Sequence, residues 1–177
     1  MTIRAFNGKR PKIGTSVYID DTAVVIGDVE LADDVSIWPA SVVRGDVHSI
    51  KIGAGTNVQD GCVLHVSHDG PYAPGGFALT IGKGVTIGHR AVVHACTIGN
   101  YCLLGVGAII MDGAELGDYV LLGAATLVPP GKKLEGGYLY IGAPAKQVRA
   151  LSESEKEFLH YSYQHYEHLK DEYLHQQ

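Results

Sequence analysis

The feature that most constrains the fold of this chain is an aliphatic residue that recurs every six positions through most of the sequence. Two insertions interrupt the repeat, a short one at His48–Lys51 and a longer one at Val66–Thr80. A fixed short period is typical of a parallel β-helix, in which each six-residue unit gives one short strand to one of three flat faces. We call these aliphatic residues the anchors; they are Ile13, Ile19, Val25, Leu31, Ile37, Val43, Ile52, Val58, Leu64, Ile81, Ile87, Val93, Ile98, Leu104, Ile110, Leu116, Leu122, Val128 and Leu134.

A second position of the repeat, four residues after an anchor, carries a small or β-branched side chain. Three units make one coil of about 18 residues, so equivalent positions should stack about 4.8 Å apart. The sequence therefore predicts an all-β prism with aliphatic interior columns. The residues of this second position are Val17, Ala23, Val29, Val35, Ser41, Thr56, Val85, Ala91, Cys102, Ala108, Ala114, Val120 and Thr126.

The repeat also predicts which polar side chains stack on each other. With the two insertions discounted, Arg44, His65 and His94 each follow an anchor of one column and should form a ladder. A second column brings Asp60 alongside His89, at a different corner of the prism. On a rigid prism His89 cannot reach the other two histidines. A metal site that uses all three histidines must therefore lie between two subunits.

Clustered histidines can mark a metal site, but they also occur without a metal. A lone histidine on a solenoid is more often a surface residue than a ligand. Bringing imidazoles together without a metal costs desolvation and risks charge repulsion at lower pH, whereas a divalent ion stabilises the cluster. The geometry of the repeat alone leaves metal binding and a metal-free surface cluster both open.

Four ordered segments carry a resemblance to a known family: Trp38–Asp46 (WPASVVRGD), Asn57–His65 (NVQDGCVLH), Gly88–His94 (GHRAVVH) and Tyr140–Lys146 (YIGAPAK). Through them the chain resembles the γ-class carbonic anhydrase-like family over nearly its whole length. The resemblance implies a left-handed β-helix and a homotrimer with a metal ion at each subunit interface. The left hand rests on the resemblance alone, because parallel crossovers are otherwise almost always right-handed.

The resemblance also implies a metal and a reaction. His65, His89 and His94 would be the metal ligands, and three neutral imidazoles leave a position open for water, as in catalytic zinc sites. Zinc is the default, although iron or cobalt would accept the same ligands. The implied reaction is the hydration of carbon dioxide to bicarbonate by metal-bound hydroxide, which forms near neutral pH.

Four further residues have roles that the resemblance implies. Gln59 would orient the water or hydroxide on the metal. Arg44 and Asp46 resemble the family's intersubunit salt bridge, and a buried arginine needs such a partner. Asp60 would contact the metal-binding His89 without touching the metal itself, or it would be a simple interface contact.

Length and composition limit the other classes of function. A chain of 177 residues is long enough for one domain with a sizeable core, which we expect to span 1–177, with a lead-in at 1–12 and the β-helix at 13–135. A net charge of −5 gives no reason to expect a nucleic-acid partner. The sequence shows neither a signal peptide nor a membrane span, so we expect a cytoplasmic protein without membrane association. Three irregularly spaced cysteines fit a reducing compartment.

Two segments lie outside the repeat. Ser152–Glu155 has the spacing of a capping box, which predicts a C-terminal α-helix over 152–175. The insertion Val66–Thr80 lies beside the histidine ladder and is either a rim of the site or a tolerated surface loop. It contains Asp69 and His68 but no glutamate, so an acidic proton shuttle is not evident and we expect low carbonic anhydrase activity.

Two alternatives to a carbonic anhydrase stay open. Prisms of this repeat also occur in acyltransferases, which typically use one catalytic histidine between subunits and do not need three. A binding scaffold could keep the metal and have little activity. Metal content separates the acyltransferase from the others, and a carbon dioxide hydration assay separates the enzyme from the scaffold.

Overall fold

The computed structural model describes residues 2–176. They form a left-handed parallel β-helix with one C-terminal α-helix, as predicted. The elements are β1 (Thr2–Arg4), β2 (Lys12–Ile13), β3 (Tyr18–Ile19), β4 (Val24–Leu31), β5 (Ser36–Ile37), β6 (Val42–Ile52), β7 (Asn57–Val58), β8 (Val63–His65), β9 (Leu79–Ile81), β10 (Thr86–Ile87), β11 (Val92–His94), β12 (Thr97–Ile98), β13 (Leu103–Leu104), β14 (Ile109–Ile110), β15 (Glu115–Leu116), β16 (Leu121–Leu122), β17 (Leu127–Val128), β18 (Lys133–Leu134), β19 (Tyr138–Ile141), β20 (Lys146–Ala150) and α1 (Glu153–His175).

The interior of the prism is built from the anchors, as the repeat predicts, except that Ile13 in the first coil is 38% exposed. Val43 pairs with Leu64, which pairs with Val93, and Val58 pairs with Ile87 in the next column. All five of these side chains are fully buried. Because the anchors stay in register between coils despite the insertions, each aliphatic side chain lies above its equivalent in the previous coil, and the hydrophobic core is a continuous stack.

The three outer surfaces of the prism differ in chemistry. Two faces are named by the chemistry of their outward side chains and the third by helix α1, which packs on it. The outward side chains of each face are given in stacking order. The apolar face carries Val42, Val63, Val92, Ile109 and Leu127. The polar face carries Lys12, Glu30, Lys51, Thr80, Thr97, Glu115 and Lys133. The helix face carries Tyr18, Ser36, Asn57, Thr86, Leu103, Leu121 and Leu139.

The long strands β4 and β6 bend round the corner between the apolar and polar faces. Gly27 and Gly45 pair at this bend, and a side chain on Gly27 would place its Cβ 2.3 Å from the Gly45 carbonyl oxygen. Gly27 also has a φ of +80°, which L-residues with a side chain rarely adopt. Glycine therefore allows the two backbones to approach closely where the sheet turns.

Helix α1 packs on the helix face, over β3, β5, β7 and β10. The predicted capping box is confirmed: the Ser152 side chain accepts from the Glu155 N–H, and the Glu155 carboxylate accepts from the Ser152 N–H. Lys170 is 1% exposed, and its ammonium group lies 3.1 Å from Asp34 and 2.5 Å from Asp171. This helix is not apolar enough to cross a membrane, and it is the only α-helix among residues 2–176.

The longer insertion folds as a small hairpin outside the prism. Isolated antiparallel bridges join Ser67 to Phe77 and Gly70 to Ala73, and the chain then enters β9. The Asp69 carboxylate accepts a hydrogen bond of 2.7 Å from the Gly75 N–H inside this hairpin. The insertion is therefore an ordered projection at the corner where the apolar and polar faces meet.

Candidate metal centre

We call the edge between the apolar and polar faces the first corner, and two of the predicted ligands meet there. His65 and His94 pair in register as the last residues of β8 and β11. Nδ1 of His65 lies 3.1 Å from Nε2 of His94. The parallel register of adjacent coils thus brings the two imidazoles together, as the repeat predicts.

In each imidazole, the nitrogen that points away from the other ring (the outer nitrogen) faces a carboxylate. Nε2 of His65 lies 2.9 Å from Asp46, and Nδ1 of His94 lies 2.5 Å from Asp112. A carboxylate only accepts hydrogen bonds, so these outer nitrogens carry the protons. The result is a row of carboxylate, imidazole, imidazole and carboxylate along the first corner.

The chemistry of this row fits a cation between the rings. In neutral rings whose outer nitrogens are protonated, Nδ1 of His65 and Nε2 of His94 both present lone pairs, and these face each other at 3.1 Å. Two lone pairs at this distance repel unless a proton or a metal ion lies between them. Two nitrogens bonded to one tetrahedral zinc at about 2.0–2.1 Å would be about 3.3 Å apart, close to the observed separation.

The third histidine lies at the second corner, which is the edge between the helix and apolar faces. Nδ1 of His89 is 2.9 Å from the Asp60 carboxylate, so the predicted pairing of these two residues is present. The His89 side chain is 46% exposed and faces solvent. Within residues 2–176 of one copy, no three His, Cys, Asp or Glu side chains are arranged to hold a metal ion.

The remaining predicted residues lie beside these two corners. Arg44 forms an ion pair with Asp46 inside the same copy, and Asp46 also bonds His65. Burial would raise the pKa of Asp46, but hydrogen bonds from His65 and Arg44 outweigh it and hold the pKa below its usual value. Gln59 precedes Asp60 in the chain, is buried, and donates a hydrogen bond of 3.2 Å to Asn57.

Two residues of the first corner were not found by the sequence analysis. Asp112 follows the anchor Ile110 by two residues, and Ser67 lies at the base of the hairpin. The Ser67 hydroxyl donates a hydrogen bond to the second oxygen of Asp112. The spacing of the repeat, extended by one coil beyond Val93, would have placed Asp112 near His94; the position of Ser67 carries no such signal.

Comparison with known proteins places this arrangement in a wider group. Protein YrdA of Escherichia coli is 58% identical over 98% of the chain and 95% of its own length. A carbonic anhydrase of Geobacillus kaustophilus is 39% identical over 86% of the chain and 80% of its own length. A hexapeptide transferase family protein of Anaplasma phagocytophilum superposes with a TM-score of 0.89 at 37% identity, over 97% of the chain and 98% of the other. No family model matches the chain.

The fold and these likenesses define the class first: a hexapeptide-repeat protein with a left-handed parallel β-helix. Within that class, the relatives at 39% and 58% identity cover most of the chain. The chain belongs to the γ-class carbonic anhydrase-like family.

Proposed function

We propose that this protein is a metal-dependent carbonic anhydrase-like enzyme that hydrates carbon dioxide to bicarbonate as a homotrimer. The observation that carries the proposal is the row of Asp46, His65, His94 and Asp112, with two imidazole nitrogens 3.1 Å apart. The relative named a carbonic anhydrase supports the same reaction. His65 and His94 of one copy and His89 of the next would hold the metal.

Each of the three histidines has a carboxylate behind it. Asp46, Asp60 and Asp112 lie within 2.9 Å of the ring nitrogen that each one contacts. Metal-binding histidines almost always donate their other N–H to a carboxylate, carbonyl or water, which fixes the orientation of the ring. This shared pattern supports a ligand role for all three histidines, although they occupy different corners.

The apolar face supports the contribution of a second copy. Its outward side chains Val63 and Ile109 are 42% and 38% exposed and belong to an unbroken apolar ladder between the two corners. An exposed strip of this kind is typical of an interaction surface. Packing it against another copy would bury the ladder and bring a second corner to a first corner. Closure of a head-to-tail contact into a ring gives the trimer.

A divalent metal held there would lower the pKa of a bound water to about 7 and so supply hydroxide at neutral pH for attack on carbon dioxide. The residues of the chain prepare this chemistry. Asp46 and Asp60 hold the rings of His65 and His89, and Arg44 forms an ion pair with Asp46. Gln59, whose amide is already positioned by Asn57, would orient the water. Arg44 is 42% exposed, so its guanidinium can also reach a carboxylate of the neighbouring copy.

A second candidate is acyl transfer. It is supported by the likeness to a hexapeptide transferase family protein and by the half-exposed pair of His89 and Asp60, which has the form of a general base and its orienting carboxylate. This reaction needs one histidine, whereas the first corner has two more with their own carboxylates. We therefore favour the metal-dependent reaction.

Metal content and carbon dioxide hydration together test the proposal. The protein is purified without oxygen, loaded with zinc, iron or cobalt in turn, and assayed by stopped-flow. We expect one metal per subunit and measurable but low turnover, because Asp69 is engaged in the hairpin and no glutamate lies there. A protein that binds none of the three metals would contradict the proposal. Full loading without hydration would leave a metal-binding scaffold.

A further inference from the structure

The carboxylate beside His94 is held by a hydroxyl group of the hairpin, whereas the carboxylate beside His65 is held by the guanidinium of Arg44. One oxygen of Asp112 lies 2.5 Å from His94 Nδ1, and the other accepts a hydrogen bond from the Ser67 hydroxyl. Both oxygens of the carboxylate thus have a partner.

Ser67 reaches Asp112 because of the hairpin. Its backbone N–H donates to the Phe77 carbonyl at 3.1 Å, and its carbonyl accepts from the Phe77 N–H at 3.1 Å. These two bonds fix the residue at the point where the insertion leaves the prism. The hairpin therefore places the Ser67 hydroxyl against the Asp112 carboxylate, which is 45 residues further along the chain.

We infer that Ser67 and Asp112 are a positioning pair that keeps the His94 ring with its Nδ1 proton toward Asp112 and its Nε2 open for the metal. This inference rests on the proposed metal site. Asp112 selects the tautomer, because the nitrogen beside a carboxylate must be the protonated one. Ser67 prevents Asp112 from turning away, because it holds the second oxygen.

The consequence of losing Asp112 follows from the contact between the two rings. Without a carboxylate at Nδ1, the neutral His94 ring is free to place its proton on Nε2. That proton would then be donated to Nδ1 of His65, which lies 3.1 Å away. The two nitrogens that should bind the metal would instead be joined by a hydrogen bond, and neither would have a lone pair free for the metal. Metal binding would have to break this bond and move the proton.

The tautomer of His94 in the metal-free protein is the direct test, and it does not depend on activity. Ring ¹⁵N chemical shifts are measured at a pH where the imidazoles are neutral. We expect the Nδ1–H form in the unaltered protein and a shift toward the Nε2–H form in Asp112→Ala. The conservative Asp112→Asn keeps an acceptor oxygen and should give an intermediate distribution. A role confined to fold stability would leave the tautomer unchanged.

Zinc affinity, measured by competition with a chelator, is the second readout. Removing a group that orients a metal-binding histidine typically weakens metal binding by about 10–100-fold. We expect a loss of this size for Asp112→Ala and a smaller loss for Ser67→Ala. Glu115→Gln, on the polar face, removes the same charge three residues away and is the matched control. Thermal unfolding of each variant checks whether the fold is retained.

The outcomes separate this inference from the proposed function. If His94→Ala binds zinc as tightly as the unaltered protein, the proposed metal site is wrong. If His94→Ala loses zinc while Asp112→Ala keeps both its affinity and its Nδ1–H tautomer, the positioning role is wrong and the metal site stands. A change in affinity with no change in tautomer would also contradict the positioning role of Asp112.

Discussion

The two corners of the prism hold their histidines in different ways. At the first corner the His65 and Asp46 side chains are 19% and 16% exposed, and Arg44 and His94 support them further. At the second corner the His89 and Asp60 side chains are 46% and 49% exposed. The first corner is thus an ordered group within one chain, whereas the second presents a single imidazole to solvent.

The difference between the two corners shows why one chain of a solenoid cannot bring side chains of two corners into a single site. The stacking of coils brings side chains of one corner within contact distance, because equivalent residues recur about 4.8 Å apart. It cannot bring two corners together, because a flat face separates them. A shared site therefore needs one corner that is preorganised and a second corner that is free to dock. Substitutions at each corner can test this division, beginning with the largest effect.

Single substitutions of the three histidines should remove the metal completely. We expect His65→Ala, His89→Ala and His94→Ala each to abolish tight zinc binding, measured by elemental analysis, without a large change in the melting temperature. The reason is that these side chains lie outside the aliphatic core, which supplies most of the stability. His168→Ala, on the exposed surface of α1, is the control. Full occupancy in any one of the three variants would show that this residue is not a ligand.

Mixing two defective chains should restore part of the metal. One chain carries His65→Ala and His94→Ala, which leaves only the second corner intact; the other carries His89→Ala, which leaves only the first. Neither homotrimer can assemble a complete site. Random mixing by co-expression should return about a quarter of the sites, by counting interfaces in a cyclic trimer. The readout is zinc per subunit over the whole co-expressed sample, in which mass spectrometry verifies that mixed trimers are present. Each mixed trimer should hold zinc at one of its three interfaces.

The mixing experiment decides whether the corners meet. Its control is each chain expressed alone, which should hold no tightly bound zinc. Mixed trimers that stay empty would mean that the two corners do not converge across an interface.

A charge on the apolar face should weaken the trimer, whereas the same charge on the polar face should not. Burying a valine side chain contributes roughly 1.5 kcal/mol or more, and a buried lysine adds a desolvation cost. We expect Val63→Lys to favour smaller species in sedimentation and to lose zinc. Thr97→Lys, on the polar face, is the matched control. Equal behaviour of the two variants would remove the argument that the apolar ladder is the interface.

The smallest effect concerns the helix that covers the face next to the second corner. The hydrogen bonds from Arg149 and Ser152 lower the pKa of Glu155 from 4.5 to about 2. A group with a lowered folded-state pKa stabilises the fold above its usual pKa, and that contribution is lost as the pH falls through about 2. We expect Glu155→Gln to show a smaller loss of helical circular dichroism than the unaltered protein between these two pH values.

This acid titration also compares the corners. Helix α1 packs on β10, which leads directly to His89, so weakening the cap should broaden the resonances of His89 more than those of His65. Glu172→Gln, near the other end of the helix, is the control. Identical responses of the two histidines would mean that the helix does not support the second corner.

Much of the fold was predictable because the period fixes the register. Once the anchors are aligned, the pairing of His65 with His94 and of Asp60 with His89 follows by counting. The same counting separates the two corners. The capping box was also readable, because its two side chains act over a spacing of three residues.

The rest depends on contacts that no period encodes. Ser67 lies in an insertion, and its position is set by the hairpin bridge to Phe77 rather than by the stack of coils. Which nitrogen of His94 faces Asp112 depends on the local carboxylates and not on the repeat. The expected lead-in also contains a strand that the repeat does not predict, because Thr2–Arg4 pairs with Val24–Ile26 of β4.

The antiparallel turn at the end of the prism has a consequence for how copies can assemble. A parallel stack is an open template, because its last coil offers unpaired backbone groups to any further strand. Here the chain reverses, and β20 runs antiparallel along β19. The Gly142 carbonyl accepts from the Leu127 N–H at 3.0 Å, and the Ala145 N–H donates to the Leu127 carbonyl at 2.7 Å. The chain thereby covers the last strands of the helix face and the apolar face with its own backbone, so a further parallel coil cannot stack directly on them.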